Sequence, residues 1–136
     1  MTDQEALALG RRLVACPRFR WMPGMLDGHN EERVVAYPPT GNPYPVRCRD
    51  IGESAPRSEW RLAETSHRQW PDLRDAATRG CLLDLLREVY QEPTLACCKD
   101  GDGERDWWTV QDEGCIWYGR GETEPEALVA ALESAP

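Results

Sequence analysis

Carboxylates stand at alternate positions in the segment 100–106, the spacing at which calcium loops supply their oxygen ligands. An EF-hand loop also needs glycine at its sixth position and a bidentate glutamate at its twelfth, where this chain has Arg105 and Gln111. We therefore interpret the segment as a solvated hairpin turn without a bound metal, and keep oxygen-ligand metal binding as the alternative. The alternating carboxylates are Asp100, Asp102, Glu104 and Asp106.

A pair of glycines, Gly119-x-Gly121, precedes a predicted helix, as in a loop that binds phosphate. Glu122, Glu124 and Glu126 occupy the start of that helix, where a bound anion would lie. The third glycine of a dinucleotide-binding fingerprint is also missing. We predict a plain strand-to-helix turn and no nucleotide binding.

The cysteines and histidines do not form a pattern that predicts a reaction or a cofactor. No two cysteines have the spacing of a zinc knuckle, and the neighbours Cys97 and Cys98 cannot easily ligate one ion together. His29 and His67 have no partner at helical spacing. We expect reduced thiols, mostly in the core. A cysteine–histidine pair assembled from distant residues stays open as an alternative. The six cysteines are Cys16, Cys48, Cys81, Cys97, Cys98 and Cys115.

Charge is concentrated near the C-terminus. The chain has 136 residues and a net charge of −8, and nine carboxylates stand against three basic residues between Lys99 and Glu126, which makes −6 for that stretch. The same stretch contains Trp107, Trp108 and Trp117. An acidic, aromatic segment favours a basic partner and disfavours direct binding to nucleic acid.

The carboxylates of this stretch cannot be buried unpaired, so we expect them to face outward. They are the residues that we predict to bind a partner protein. The predicted binding residues are Asp100, Asp102, Glu104, Asp106, Asp112, Glu113, Glu122 and Glu124.

The length predicts a single domain, 1–136, with an irregular, proline-rich insertion at about 38–72 in which Trp60 and Trp70 act as anchors. No stretch approaches the roughly 20 apolar residues of a membrane-spanning helix. The first residues are acidic where a secretory signal is basic. We expect a cytoplasmic protein that does not bind membranes.

Three helices are predicted from capping signals and apolar periodicity. The first follows the capping box Thr2–Glu5 and ends before Pro17. The second runs from a cap near Asp75 to about Tyr90, and its Gly80 predicts a close packing contact. The third begins at the capping box Thr123–Glu126.

Strands are predicted in the intervals. The strongest signal is a hairpin, Trp107–Val110 with Cys115–Tyr118, preceded by Leu95–Cys98. Trp107 and Trp108 must point to opposite faces of their strand. A sheet with aromatic residues on both faces needs cover on both, and we expect most of the indole area to be internal. Weaker strand candidates are Phe19–Met22, Arg33–Tyr37 and Val46–Arg49.

These elements predict an α+β fold, a mostly antiparallel sheet with helices packed on it as a three-layer α/β/α sandwich. Four segments, Leu13–Cys16, Trp21–Met25, Pro71–Leu83 and Gly119–Leu132, resemble the phage ABA-sandwich domain family of small phage and prophage proteins. The resemblance is strongest from Leu73 to the C-terminus. It implies helix layers around a sheet and a phage origin, and it supplies no catalytic residues.

Three hypotheses for function follow. The first is a non-enzymatic phage accessory protein in the host cytoplasm that binds a bacterial protein with a basic surface. An inhibitor of host defence, such as an anti-CRISPR-like mimic of nucleic acid, is its concrete version, because carboxylates replace phosphates opposite Lys and Arg. The second is a phage structural or assembly protein, dimerising through an exposed helix or hairpin edge. The third is a small Cys/His or metal-dependent enzyme.

Overall fold

The computed structural model describes residues 1–34, 36–37, 61–62, 68–101 and 105–136. Within these ranges the chain is α+β, with three helices and an antiparallel sheet of three strands, as predicted. The elements in chain order are α1 Asp3–Ala15, β1 Ala36–Tyr37, β2 Arg61–Leu62, α2 Ala76–Tyr90, β3 Ala96–Gly101, β4 Asp106–Gln111, β5 Trp117–Gly121 and α3 Glu124–Glu133.

All three helices begin at the predicted caps. Thr2 and Thr123 each form a complete capping box, in which the threonine hydroxyl accepts from the N3 amide and the N3 glutamate accepts from the cap amide. The Asp75 carboxylate accepts from the amide of Thr78 at 2.8 Å and starts α2. The helix predictions are therefore confirmed at their starting points. They succeed because capping depends only on residues within one turn.

The main sheet has the strand order β3-β4-β5, with both pairs antiparallel. Gly101 pairs with Asp106 at one end of the β3–β4 ladder and Ala96 pairs with Gln111 at the other. In the β4–β5 ladder Trp108 pairs with Gly121, and a bulge between Val110 and Gln111 shifts the register. A separate two-stranded ladder joins β1 and β2.

Several predicted strands are displaced or absent. The hairpin prediction is right in kind, but β5 begins at Trp117 instead of Cys115 and continues through Gly121. Phe19–Met22 is not a strand. In Arg33–Tyr37 the described residues form a bridge at Arg33 and the two-residue strand β1, and Val46–Arg49 lies outside the described residues. Short strands without an alternating apolar pattern carry little register information, which explains these errors.

Gly119 and Gly121 lie inside β5, and the predicted strand-to-helix turn follows them at Glu122 and Thr123. A Cβ on Gly119 would overlap the backbone of Ala127 and Ala131, and one on Gly121 would lie 2.6 Å from the amide nitrogen of Ala127. Strand β5 therefore packs backbone to backbone against α3. Glycine is needed here because it alone lacks a Cβ.

Helix α3 lies at the centre of the described structure. It contacts all three strands of the main sheet, and α1 and α2 pack against α3. The Tyr90 hydroxyl at the end of α2 donates to the Ala131 carbonyl at 2.7 Å. This arrangement places helices on one side of the sheet, and the three-layer sandwich stays a prediction. The fully buried apolar side chains of the core include Leu13, Leu82, Leu86, Val110, Leu128 and Val129.

Two predictions about single residues have different outcomes. Trp70 is buried as an anchor should be, and a Cβ on Gly28 would overlap its ring. Trp60 lies outside the described residues. Gly80 is exposed and a Cβ there would meet nothing within 4 Å, so the predicted close contact is wrong.

Among the described helices, none is both long and apolar enough to cross a membrane.

Asp75 connects the loop before β1 to the start of α2. The Arg33 guanidinium donates to its two carboxylate oxygens at 2.9 and 3.0 Å and to the Gly24 carbonyl at 2.9 Å. The hydrogen bonds from Arg33 and from Thr78 lower the pKa of Asp75 well below its ordinary value. The ion pair and the helix cap thus depend on one carboxylate.

Glycine-to-alanine substitutions should separate the two glycine environments. We expect Gly119→Ala to destabilise the fold by about 3 kcal/mol, because the new methyl group overlaps the α3 backbone. Gly80→Ala should stabilise it by about 0.5–1 kcal/mol, because the site is open and alanine favours the helix. Urea unfolding monitored by circular dichroism measures both changes. Equal effects of the two variants would contradict the packing of β5 on α3.

The contribution of Asp75 should depend on pH. Because its folded pKa lies below the ordinary 3.8, its stabilising effect is fully present above 3.8, declines as pH falls below that value and is lost as pH falls through the folded pKa. We expect Asp75→Asn, which retains a good helix cap, to be less stable than the wild type at pH 7. The difference should shrink steadily below about pH 4. Unfolding curves at several pH values measure it.

The double variant is the control for this prediction. In an Arg33→Gln background, Asp75→Asn should have a much smaller effect, because the partner of the carboxylate is already gone. Wild type and Asp75→Asn curves that stay parallel from pH 7 to pH 2 would show that the ion pair does not contribute.

Candidate protein-binding surface

The strand register divides the predicted binding carboxylates between the two ends of the sheet. Asp100 at the end of β3, Asp106 at the start of β4 and Glu122 just after β5 lie together, and we call this group the acidic end. Asp112 and Glu113 follow β4 and lie at the opposite end. Five residue steps along β4 separate the ends, or about 17 Å at the rise of a strand.

Three of the carboxylates are engaged within the fold. Asp106 forms an ion pair with Lys99. Glu124, which is half-buried, forms one with Arg79 at 3.0 Å. The Asp112 carboxylate accepts from the Ile116 amide at 3.0 Å and from the Tyr118 hydroxyl at 3.1 Å, and so closes the turn between β4 and β5.

The other described carboxylates are not neutralised. Within the described ranges, Asp100, Glu113 and Glu122 form no ion pair with a basic side chain. Asp100 accepts only from the Gly101 amide, at 2.8 Å. Asp102 and Glu104 lie outside the described residues. The acidic end therefore carries two unpaired carboxylates, Asp100 and Glu122, and the opposite end carries one.

The sheet has two different faces. The inner face, with Val110 and Gly119, packs on α3. The outer sheet face is formed by residues that alternate with these, Cys98, Asp100, Trp107, Thr109 and Arg120, together with Trp117 at the start of β5. Because side chains alternate between the faces of a strand, the register alone assigns these positions.

A cation stacks on the aromatic residues of the outer sheet face. The Arg120 guanidinium lies 4.2 Å from the centroid of the Trp107 ring and 6.0 Å from that of Trp117. Both distances fall within the range of cation–π attraction. No carboxylate in the described part of the chain forms an ion pair with Arg120. Its charge is therefore held in place by aromatic rings and is not neutralised.

Two polar atoms beneath Arg120 lack partners. The Thr109 hydroxyl and the Trp107 indole nitrogen are buried, and no hydrogen-bond partner is present for either. Thr109 stands directly opposite Arg120 in the ladder. Buried polar groups are nearly always hydrogen-bonded, so two unsatisfied groups on one face mark an unusual site.

The expectation that the indoles are mostly internal is only partly met. Trp107 and Trp108 are partly buried, but Trp117 is 52% exposed and its neighbour Ile116 is 61% exposed. Trp117 is exposed because the bulge and the late start of β5 leave it at the corner of an edge strand. The alternation of side chains along 107–110 predicts that Trp107 and Thr109 share one face of the strand and Trp108 and Val110 the other. It does not predict which of the two faces α3 covers.

The described thiols do not resemble activated nucleophiles. Cys16, Cys81, Cys97, Cys98 and Cys115 form no disulfide. Burial raises the pKa of the Cys97 thiol to about 12 and also raises the pKa of Cys16 and Cys81, whereas a nucleophilic cysteine needs a lowered pKa. Cys16 is buried as predicted, but Cys115 is exposed. Cys48 and His67 lie outside the described residues.

No group of three His, Cys, Asp or Glu side chains converges as a metal site within the described ranges. Of the alternating carboxylates, Asp100 and Asp106 are described and the two between them are not. Metal binding by segment 100–106 therefore remains an untested alternative.

Comparisons with protein-family models, with curated proteins and with solved structures found no match. The resemblance to the phage ABA-sandwich family consequently stays a prediction from the sequence. The geometry of the acidic end and of the outer sheet face carries the functional argument.

The buried hydroxyl of Thr109 should reduce stability. We expect Thr109→Val, which keeps the shape and removes the unsatisfied group, to stabilise the protein by about 1 kcal/mol. Thr78→Val is the matched control, because the buried Thr78 hydroxyl accepts from the Leu26 amide at 2.8 Å and donates to Asp75 at 2.9 Å. That variant should lose stability in the same urea titration. A loss of stability in both would show that Thr109 has a partner.

Proposed function

We propose that this chain is a non-enzymatic binding protein whose acidic end contacts a basic surface of another protein. The observation that carries the proposal is that two carboxylates, Asp100 and Glu122, lie at the same end of the sheet, on either side of β4, without basic partners in the described structure. The acidic stretch holds most of the net charge of the chain. Its charge is thus available to an external cation.

The electrostatics of such a surface favour a protein partner. An excess of negative charge accelerates association with a basic patch and suppresses approach to nucleic acid. Arginine forks on a partner pair with carboxylates in a bidentate geometry, as they do with phosphates. A partner that normally binds nucleic acid therefore fits the acidic end.

The finer version of the proposal adds the phage origin implied by the resemblance. In that version the partner is a bacterial protein in the host cytoplasm, and the acidic end occupies a channel that otherwise holds DNA or RNA, as in inhibition of a CRISPR effector. The three-layer arrangement is proposed independently of the phage origin, from the aromatic residues on both faces of the sheet, and it agrees with the resemblance. If the acidic end occupies such a channel, this protein and nucleic acid should compete for binding to the same partner protein.

Assembly with further copies is the second candidate function, and one observation favours it. Ile116, just before β5, and Trp117, its first residue, are exposed apolar residues at an edge strand of the main sheet. Exposed apolar residues at a sheet edge are typical of association between chains. Sedimentation of the purified protein and its detection in purified virions distinguish this function from the first.

Single charge reversals test the acidic end against the opposite end of the sheet. We expect Glu122→Lys and Asp100→Lys to reduce recovery of a specific partner from bacterial lysate at least about tenfold, as loss of interfacial charge pairs does. Recovery by the unmodified protein should fall between 0.1 and 0.5 M salt, at roughly which concentrations charges become screened. Quantitative mass spectrometry of the captured proteins is the measurement.

Glu113→Lys is the matched control for this experiment. It makes the same change of charge at an exposed site at the opposite end of the sheet, so it should leave recovery of the partner unchanged. A partner that all three variants retain, or the absence of any partner sensitive to Glu122→Lys, would refute the proposed function.

A further inference from the structure

We propose that the outer sheet face contains a carboxylate-binding site formed by Arg120, Trp107 and Thr109, whose ligand is an acidic side chain of a peptide segment. This inference does not rest on the proposed function, because it concerns a cationic site on the face of the sheet and not the acidic end. Its basis is two buried polar atoms without a hydrogen-bond partner, on Trp107 and Thr109, and the Arg120 guanidinium on the same face, which forms no ion pair within the described residues.

The buried groups supply the first part of the argument. The indole nitrogen of Trp107 can only donate, and the hydroxyl of Thr109 can donate or accept. Both atoms are buried without a partner, and Thr109 itself is fully buried. Because both atoms lie beneath the surface, an acceptor reaches them only when the side chains above them move aside, and it then satisfies groups that the fold leaves unsatisfied. The ligand must therefore offer more than one acceptor atom.

Arg120 supplies the charge and the geometry. Its guanidinium is 4.2 Å from the ring of Trp107 and stands in the ladder opposite Thr109. Stacking against an aromatic ring leaves the N–H groups at the edge of the guanidinium available for hydrogen bonds. A carboxylate accepts two parallel hydrogen bonds from such a fork and still has lone pairs for neighbouring donors.

The surroundings favour a carboxylate over a phosphate. Asp100 stands opposite Trp107 in the β3–β4 ladder, and Glu122 follows β5 at the same end. These negative charges repel a phosphate, with its charge near −2, more strongly than a carboxylate with a charge of −1. The net charge of −8 acts against a polyanion for the same reason.

The adjacent residues favour a peptide as the source of the carboxylate. Ile116 and Trp117 are exposed beside the site, and Trp117 lies within cation–π distance of Arg120. Apolar residues that flank the acidic side chain of a peptide would bury this exposed area. A free carboxylic acid lacks those flanking residues, so it should bind more weakly.

Nuclear magnetic resonance titration of the full chain tests the site, with the Trp107 indole N–H as the reporter, assigned from its loss in Trp107→Phe. The probes are acetyl-Leu-Glu-Leu-amide, the same peptide with Gln in place of Glu, and inorganic phosphate. We expect the Glu peptide to shift the Trp107 indole signal in a saturable way. The Gln peptide and phosphate should bind at least about tenfold more weakly, because neither presents a singly charged fork acceptor.

Variants of Arg120, which is exposed and should tolerate substitution, complete the test. Arg120→Gln should abolish the shift, and Arg120→Lys should weaken binding because it keeps the charge but loses the fork. The backbone amide spectrum of each variant shows whether it is folded. Equal binding of the Glu and Gln peptides, equal or tighter binding of phosphate, an unchanged shift in Arg120→Gln, or no binding of any probe would overturn the proposal.

Discussion

The close approach of β5 to α3 is the constraint on which the rest of the structure depends. Gly119 and Gly121 lack a Cβ, so the strand backbone reaches the helix backbone at Ala127 and Ala131. Helix α3 is thereby held against the sheet, and α1 and α2 complete its burial. Of these contacts, the one between β5 and α3 uses the inner face of the sheet. Within the described ranges, the outer sheet face and the ends of the strands are left to make other interactions.

The aspartates and glutamates of this protein fall into two groups: some stabilise the fold, and others form no ion pair within it. Asp75, Asp106, Asp112 and Glu124 stabilise the fold through caps, turns and ion pairs. Asp75, Asp106 and Glu124 contribute little to a potential outside the molecule, because a cation pairs with each of them. The negative charge that an external partner would meet therefore comes mainly from the carboxylates that form no ion pair within the fold. A count of acidic residues in the sequence overestimates the charge that a partner would meet.

The sequence predicted local features well and long-range features poorly. The caps at Thr2, Asp75 and Thr123 were predictable because each depends on residues within one turn. The role of Gly119 was not predictable, since the helix that requires the missing Cβ touches it only through the tertiary fold. For the same reason the carboxylates appeared as one cluster in the sequence. The register of the strands was needed to show that Asp112 and Glu113 lie at the other end of the sheet.

The two faces of the sheet differ in how completely their groups are satisfied, and this difference bears on function. The inner face consists of packed apolar residues and backbone contacts. The outer sheet face holds a buried hydroxyl and an indole N–H without partners, a guanidinium without a carboxylate, and an exposed tryptophan. The unsatisfied buried groups and the exposed indole are unfavourable in an isolated fold, because they lower stability or solubility. Their occurrence on a single face is best understood if another molecule completes that face, since binding then offsets what folding leaves unfavourable.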